Sequence, residues 1–169
     1  MIICGIDEAG RGPLIGPMVM AGVLIDEKDE AKFKAIGVKD SKLLTPFQRK
    51  DLFDKIKSIS KKYKIIIVQP DEIDDAVFGK GGLNLNWLEA NTSVKILNEL
   101  NPEKAIVDAP SPNIKKYTEY IREKLDNKKV KLVLEHKADV NYPVVGAASI
   151  LAKVTRDNEI EKIKKQIGI

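Results

Sequence analysis

The sequence predicts an α/β fold, with a mixed central sheet of about five strands flanked by helices. Short apolar runs of strand length alternate with longer segments whose apolar residues have helical spacing, which is typical of a sheet covered by helices. The first two apolar runs are joined by a short link, so we expect them to pair antiparallel. The later runs are separated by helices and fit parallel strands, so the sheet should be mixed.

The first half of the chain contributes three strands and one helix to this prediction. Residues 1–6 (MIICGI) and 17–25 (PMVMAGVLI) are apolar runs, and GRGPLIG connects them. Thr45-Pro46-Phe47-Gln48 has the pattern of a capping box with proline at the first helical position, and apolar residues with helical spacing follow. Residues 65–68 (IIIV) form a short, fully apolar run that predicts a buried strand.

The second half contributes two strands and three helices. Residues 84–86 (NLN) precede a long segment with helical spacing, and residues 104–107 (KAIV) predict the next strand. Ser111-Pro112 is expected to open a helix, and residues 130–134 (VKLVL) predict the last strand. Pro143 is expected to start the final helix.

Composition limits the class of protein. The chain has 169 residues, of which 43% are hydrophobic and 32% charged, which suits one domain with its own core. The net charge of +4 and the pI of about 9.0 weakly favour an anionic partner. Cys4 is the only cysteine, so no internal disulfide can form, and we expect a reducing, cytoplasmic location. No signal peptide or membrane-length apolar run is apparent, and no pattern suggests an oligomer seam, so we expect a monomer.

Two acidic residues directly follow predicted strands. Asp7 follows Ile6, and Asp108 follows the run KAIV, which places both where α/β proteins bind their ligands. On neighbouring strands the two carboxylates would repel each other, and a divalent cation would remove that repulsion. Ligation by oxygen alone selects Mg²⁺ or Mn²⁺. An Asp after a strand is also a common turn former or helix cap, and spacing alone does not decide between the two interpretations.

Glu8 and Asp139 are candidates to complete the acidic set. Asp139 lies between the last predicted strand and the Pro143 helix. A fully extended strand would direct Asp7 and Glu8 to opposite faces, so both could serve one site only if the chain bends there or the ions lie off the edge of the strand. The glycines that follow make such a bend feasible.

The Gly10-Arg11-Gly12 segment matches neither a dinucleotide-binding fingerprint nor a Walker loop. Its two glycines allow backbone N–H groups to approach a ligand, and Arg11 can bind a phosphate in a bidentate manner. A tight turn with an exposed arginine explains the triplet equally simply. The adjacent acids favour a contact with a sugar and its phosphate.

Three further features remain open at this stage. Lys39-Asp40-Ser41-Lys42 could hold phosphates or form an ordinary polar loop. Ser149, in the small-residue stretch GAAS, fits close packing against the sheet or an anion near the start of the helix. His136 is the only histidine, so a histidine-rich zinc site is excluded, and we expect a structural or partly exposed role for it.

Several separated motifs, taken in order, closely resemble ribonuclease HII of the archaeal type. They span most of the chain, and the first and last are long and specific: GIDEAGRGPLIGPMV at 5–19, KDSK at 39–42, NLN at 84–86, VDAP at 107–110 and HKADVNYPVVGAASILAKVTRD at 136–157.

The resemblance implies a ribonuclease H-like fold and an endonuclease acting on the RNA strand of RNA–DNA hybrids, including single ribonucleotides in duplex DNA. It implies two divalent ions, Mg²⁺ or Mn²⁺, and products with 3′-hydroxyl and 5′-phosphate ends. The implied catalytic and metal-binding residues are Asp7, Glu8, Asp108 and Asp139. Gly10, Arg11 and Gly12 would read the ribonucleotide 2′-OH and its neighbouring phosphate. The other implied substrate-binding residues are Lys39, Ser41, Lys42, Asn84, Asn86 and Ser149.

The sequence departs from this family at its end. The family continues beyond the helix containing KVTRDNEIE with a Gly-Tyr-Pro motif whose tyrosine stacks at the ribonucleotide junction, whereas this sequence ends at Ile169 without that motif. We therefore expect a single catalytic domain that lacks the usual C-terminal extension and retains metal binding and some catalysis, while its junction specificity and affinity stay open. Two alternatives remain: a non-catalytic hybrid-binding domain, and a metal-dependent phosphoryl-transfer enzyme acting on a smaller phosphate ester.

Overall fold

The computed structural model describes residues 1–10, 16–38, 43–78 and 84–168. Its centre is a mixed five-stranded sheet, in the strand order β3-β2-β1-β4-β5. The pairs β1/β2 and β2/β3 are antiparallel, whereas β1/β4 and β4/β5 are parallel, so the predicted mixed sheet is confirmed. The strands are β1 (Ile2–Ala9), β2 (Met18–Asp26), β3 (Lys62–Val68), β4 (Lys104–Asp108) and β5 (Lys131–Glu135).

Helices cover both faces of this sheet. Residues Glu27–Asp29 form a 3-10 turn before the first of them. The helices are α1 (Ala31–Ala35), α2 (Pro46–Ile59), α3 (Pro70–Phe78), α4 (Leu85–Leu100), α5 (Ile114–Lys124), α6 (Ala138–Asn141) and α7 (Pro143–Gln166). Along the described ranges, no helix is both long and apolar enough to cross a membrane.

Alternating side chains of β1 divide the core into two layers. Ile3 joins the layer formed by β2 and α7, whereas Cys4 and Ile6 join the layer under α4 and α5. Gly5 lies under α7, because a Cβ atom built on it would be 2.6 Å from the carbonyl carbon of Val144. Odd-numbered positions of β1 therefore face α7.

Local capping explains where the helices begin. The Thr45–Gln48 capping box is present: the hydroxyl of Thr45 accepts from the Gln48 N–H at 3.2 Å, and the Gln48 amide oxygen accepts from the Thr45 N–H at 2.9 Å. The last helix does begin at Pro143. The expectation that Ser111-Pro112 opens a helix was wrong by two residues, because Asn113 caps α5 through the Lys116 N–H.

Candidate active site

Asp7 projects from the middle of the sheet. The strand was expected to end at Ile6, but β1 continues to Ala9 because β2 pairs with it as far as Ala9↔Val19. Asp7 therefore lies inside a strand, opposite Ala21, and its exposed fraction is only 6%. The expectation that Asp7 follows the end of its strand was wrong.

The parallel pairing of β1 with β4 brings Asp108 to the same level as Asp7. The register of the two strands ends at Ile6↔Val107, and the two aspartates are the next residues on each strand. Asp108 is the last residue of β4, as the sequence predicted. Both side chains lie on the face covered by α6 and α7, since Ile106 of β4 belongs to the α7 layer.

Asp139 reaches the same place from the connection between β5 and α7. The expected loop contains the four-residue helix α6, which follows Lys137 in the left-handed conformation at φ 57°. Close packing of α7 on Gly5 holds this segment against the sheet. As a result, one carboxylate oxygen from each of Asp7, Asp108 and Asp139 lies within 4.8 Å of the others.

The electrostatics of these carboxylates favour a bound cation. Burial raises the pKa of Asp7 well above its ordinary value, and the nearby charges of Glu8, Asp108 and Asp139 raise it further. Burial, followed by the charge of Asp139, raises the pKa of Asp108 to about 6. Three oxygens this close, all from hard carboxylate ligands, are a suitable donor set for a divalent ion.

Glu8 does not join this group of three oxygens. Strand alternation places it on the face of Cys4 and Ile6, away from α7. Its backbone N–H donates to the Asp7 carboxylate at 2.8 Å, and its charge raises the pKa of Asp7. The sequence had indicated this separation unless the chain bends or the ions lie off the strand edge, and β1 stays extended through Ala9 without such a bend.

The predicted ribose-reading loop is described at its first residue. Gly10 has a φ of +86°, a conformation that favours glycine. A Cβ atom on Gly10 would collide with the side chain of Arg156, whose Nε donates to the carbonyl of Pro17 at 3.1 Å. Arg156 from α7 thus lies at the base of this loop, a contact that sequence reasoning missed although the last motif contains it. Other predicted residues lie outside the described ranges: Arg11, Gly12, Lys39, Ser41 and Lys42.

The remaining predicted residues lie on helices around the sheet. Asn84 is exposed and caps α4, accepting from the Trp87 N–H at 3.2 Å, while Asn86 is half-buried in the first turn. Ser149 is 4% exposed and lies two turns into α7, in its closely packed small-residue face. His136 is exposed, with its Nδ1 3.0 Å from the carbonyl oxygen of Ala109.

Two residues that flank Asp139 were not singled out from the sequence. Glu135 ends β5 in register with Asp108, and one of its carboxylate oxygens is buried without a hydrogen-bond partner. The hydroxyl of Tyr142, just before α7, hydrogen-bonds to the Glu135 side chain. This contact joins the two ends of the segment that carries Asp139, and only the register of β5 against β4 could have suggested it.

Comparison with solved structures defines the class of fold. The crystal structure of the ribonuclease H2 from Pyrococcus horikoshii OT3 matches with a TM-score of 0.91 and 45% sequence identity, covering 99% of this chain and 78% of that one. The crystal structure of Bst-RNase HIII in complex with Mn²⁺ matches with a TM-score of 0.80 and 25% identity, covering 100% of this chain and 56% of that one. The fold is therefore ribonuclease H-like.

Sequence comparison identifies the family. The family model described as Ribonuclease HII matches residues 4–169. The ribonuclease HII of Pyrococcus furiosus is 52% identical over 170 residues, which cover 99% of this chain and 73% of that protein. The chain belongs to the ribonuclease HII family, and it is a metal-dependent endoribonuclease of the ribonuclease H type.

Proposed function

We propose that this protein hydrolyses the RNA strand of RNA–DNA hybrids, including single ribonucleotides embedded in duplex DNA, and leaves 3′-hydroxyl and 5′-phosphate ends. The observation that carries the proposal is the convergence of Asp7, Asp108 and Asp139 at the centre of the sheet, in a chain of this family. Carboxylates that hold a divalent cation suit a reaction in which an activated water attacks a phosphodiester.

The same residues support the use of two divalent ions, Mg²⁺ or Mn²⁺. The three oxygens within 4.8 Å fit a hard cation, and a related structure contains Mn²⁺. When bound, such ions lower the pKa of water and offset charge on the attacking and leaving oxygens. We propose Asp7 as the ligand shared by both ions, because it is more buried than Asp108 and Asp139 and lies on β1, the central strand of the sheet. Asp139, on its short helix, is the most peripheral ligand, and Glu8 is a ligand only if the ions lie off the strand edge.

The protein's own residues would also position the substrate. We propose that Gly10, Arg11 and Gly12 read the 2′-hydroxyl and the adjacent phosphate, because this loop leaves β1 directly after the acidic residues. The 2′-hydroxyl is the group that distinguishes RNA from DNA at the cleaved position. Other proposed contacts to the substrate are Lys39, Ser41, Lys42, Asn84, Asn86 and Ser149.

Three less specific proposals concern the state of the protein. We propose that residues 1–169 act as a single catalytic domain, that the protein is a monomer, and that it works in the cytoplasm. The free thiol of Cys4 is buried in the core, which supports a reducing compartment. Light scattering of the purified protein tests the monomer directly.

The test is cleavage of a DNA duplex carrying one ribonucleotide, beside an all-RNA/DNA hybrid, with Mg²⁺ or Mn²⁺. Asp7→Asn protein and EDTA serve as controls. We expect metal-dependent cleavage on the 5′ side of the ribonucleotide that is lost with Asp7→Asn, and end-labelling of the products to identify the 3′-hydroxyl and 5′-phosphate.

Other outcomes separate the competing proposals. Cleavage of the hybrid alone would retain the chemistry but refute recognition of single ribonucleotides by this chain. Hybrid binding that is unaffected by EDTA, without any cleavage by folded protein, would favour a binding domain. Hydrolysis of a small phosphate ester but of neither duplex would favour the smaller-substrate phosphoryl-transfer enzyme.

A further inference from the structure

A small cavity opens beside the carboxylate cluster, between α1 and the segment that carries Asp139. Its volume is about 220 Å³, and Lys34, Val38, Asp139 and Asn141 are among its lining residues. Gly146 forms part of its wall: a Cβ atom on Gly146 would lie 3.2 Å from the Asp139 carbonyl oxygen and 3.7 Å from Val38. The lining therefore combines close-packed backbone at Gly146 with the exposed side chains of Lys34 and Asn141.

Asp139 belongs to both the cavity and the carboxylate cluster. A nucleic-acid strand whose cleaved phosphate is held at the cluster would therefore continue next to the cavity. Because Asp139 is common to both, the cavity lies next to the proposed reacting phosphate.

The charges on α1 distinguish Lys34 from its neighbour. Lys32 forms an ion pair with Asp29 at 3.3 Å, one helical turn away. Lys34 is exposed, and it forms no ion pair with any residue that the structure describes. Asn141, on the other side of the cavity, is also exposed and offers two amide donors. Lys34 and Asn141 line the same cavity, and a lysine ammonium and an amide match the oxygens of a phosphodiester.

We propose that the cavity formed by Lys34, Val38, Asp139 and Asn141 is a binding subsite for a backbone phosphate close to the cleaved bond. The inference rests on the proposed function, since it takes the substrate to be a nucleic-acid strand held at the carboxylates. Lys34 supplies the charge and Asn141 supplies a hydrogen bond. Because phosphate contacts position a strand without reading its bases, the subsite binds substrates of any sequence.

The first experiment compares Lys34→Gln with the matched control Lys32→Gln on the same helix. We expect Lys34→Gln to raise KM about threefold to tenfold, as for the loss of one charge-assisted hydrogen bond, with kcat changed less than about twofold. The slope of log KM against log salt should become shallower by about 0.9, the value for one lost phosphate contact. Lys34→Arg should restore most of the affinity, and Lys32→Gln should behave as wild type.

The second experiment locates the phosphate. Hybrids with a single neutral methylphosphonate at successive positions are bound to the Asp7→Asn protein, which does not cleave them. We expect a methylphosphonate at one position near the cleaved bond to weaken binding by a factor similar to that of Lys34→Gln. In the protein that also carries Lys34→Gln, the same methylphosphonate should cause no further loss of affinity.

The outcomes separate this inference from the proposed function. Wild-type cleavage with equal KM and salt slope for the two glutamine variants would overturn the subsite and leave the function intact. Additive losses at every methylphosphonate position would also overturn it. If the wild-type protein cleaves neither duplex, the proposed function fails. The binding experiment with methylphosphonate hybrids then decides alone whether Lys34 contacts a phosphate.

Discussion

Replacing Gly5 with alanine should damage both the fold and the metal site, because the backbone of α7 rests directly on this residue. A Cβ atom at position 5 would lie 2.6 Å from the carbonyl carbon and oxygen of Val144 and 2.7 Å from the nitrogen of Val145. Favourable contacts between carbon atoms lie at about 3.5–4.0 Å, so α7 must move away from β1 by about 1 Å. All three atoms are backbone, so no side-chain rotation can relieve the clash.

The magnitude follows from the cost of overpacking a core. Such substitutions cost about 1–3 kcal/mol, and we expect the upper end here because the obstacle is helix backbone. For a chain of this size, 1 kcal/mol corresponds to about 2–4 °C, so the Tm of Gly5→Ala should fall by about 6–12 °C. The start of α7 is joined to α6, so Asp139 should be displaced and metal affinity should fall by about tenfold or more.

The assay is thermal unfolding in EDTA, followed by titration with Mg²⁺ or Mn²⁺ at a temperature where every variant is folded. Gly22→Ala is the matched control, since its Cβ would also collide with a neighbour, the Cγ2 methyl of Ile96, but on the other face of the sheet. Because that clash lies away from the carboxylates, the control should lose stability but keep its metal affinity. Equal Tm values for Gly5→Ala and wild type, or equal metal affinities for the two alanine variants, would refute the reasoning.

Four further predictions follow from the site and the caps. At alkaline pH, Asp7→Asn should raise the Tm of metal-free protein, because it removes a buried carboxyl group whose charged form its neighbours repel, while abolishing cleavage; a lower Tm would contradict this. The pKa of Asp108 is raised to about 6, so the folded state holds its proton more tightly than the unfolded state. The stability of the metal-free protein should therefore be greatest below about pH 4, and it should fall by about 1–2 kcal/mol, after allowance for solvent screening, as the pH rises to about 6. Stabilisation by Mg²⁺ should grow over the same pH range. Measuring Tm against pH with and without EDTA checks both trends. Thr45→Ala should cost about 1 kcal/mol, seen as a Tm about 2–4 °C lower with unchanged cleavage, because it removes only the cap of α2. Tyr142→Phe should cost at most about 1 kcal/mol and weaken metal binding, and a double-mutant cycle with Glu135→Gln should show that the two losses are not additive.

The sequence predicted the sheet well because each strand carries its own local signal. All five apolar runs became strands, and the short link predicted the antiparallel pairing of β1 with β2. Asp7 misled the prediction of where β1 ends, because a charged residue normally stops an apolar run. The strand continues because pairing with β2 extends to Val19, and such pairing is a tertiary effect that no local pattern contains.

Helix starts show where local signals compete. Ser111 and Asn113 are both good capping residues, and Pro112 suits the first helical position. In the structure the Ser111 hydroxyl accepts from the Asn113 N–H at 3.2 Å, and Asn113 caps the helix. Helix α3 was missed although Pro70 stands at its first position with two acids in the first turn, so in that case the signal was present in the sequence.

The candidate site was predictable in composition but not in arrangement. Asp7, Asp108 and Asp139 were all identified from the sequence, and strand alternation correctly separated Glu8 from Asp7. The close approach of α7 to Gly5 was not predictable, since a glycine inside an apolar strand has no pattern that marks it as a contact point. The pairing of Glu135 with Tyr142 likewise depends on the register of β5 against β4.

The position of Asp7 explains how one arrangement can weaken the fold and yet bind metal. A carboxylate that is 6% exposed, between two other carboxylates, destabilises the folded chain in the absence of a cation. The same burial excludes water and strengthens the attraction for a divalent ion at that point. Free metal at 100 times its Kd stabilises a protein by about 2.7 kcal/mol, which exceeds the cost expected at Asp108. The stability of this fold should therefore depend on metal most strongly above about pH 6, where Asp108 has lost the proton that offsets repulsion between the carboxylates.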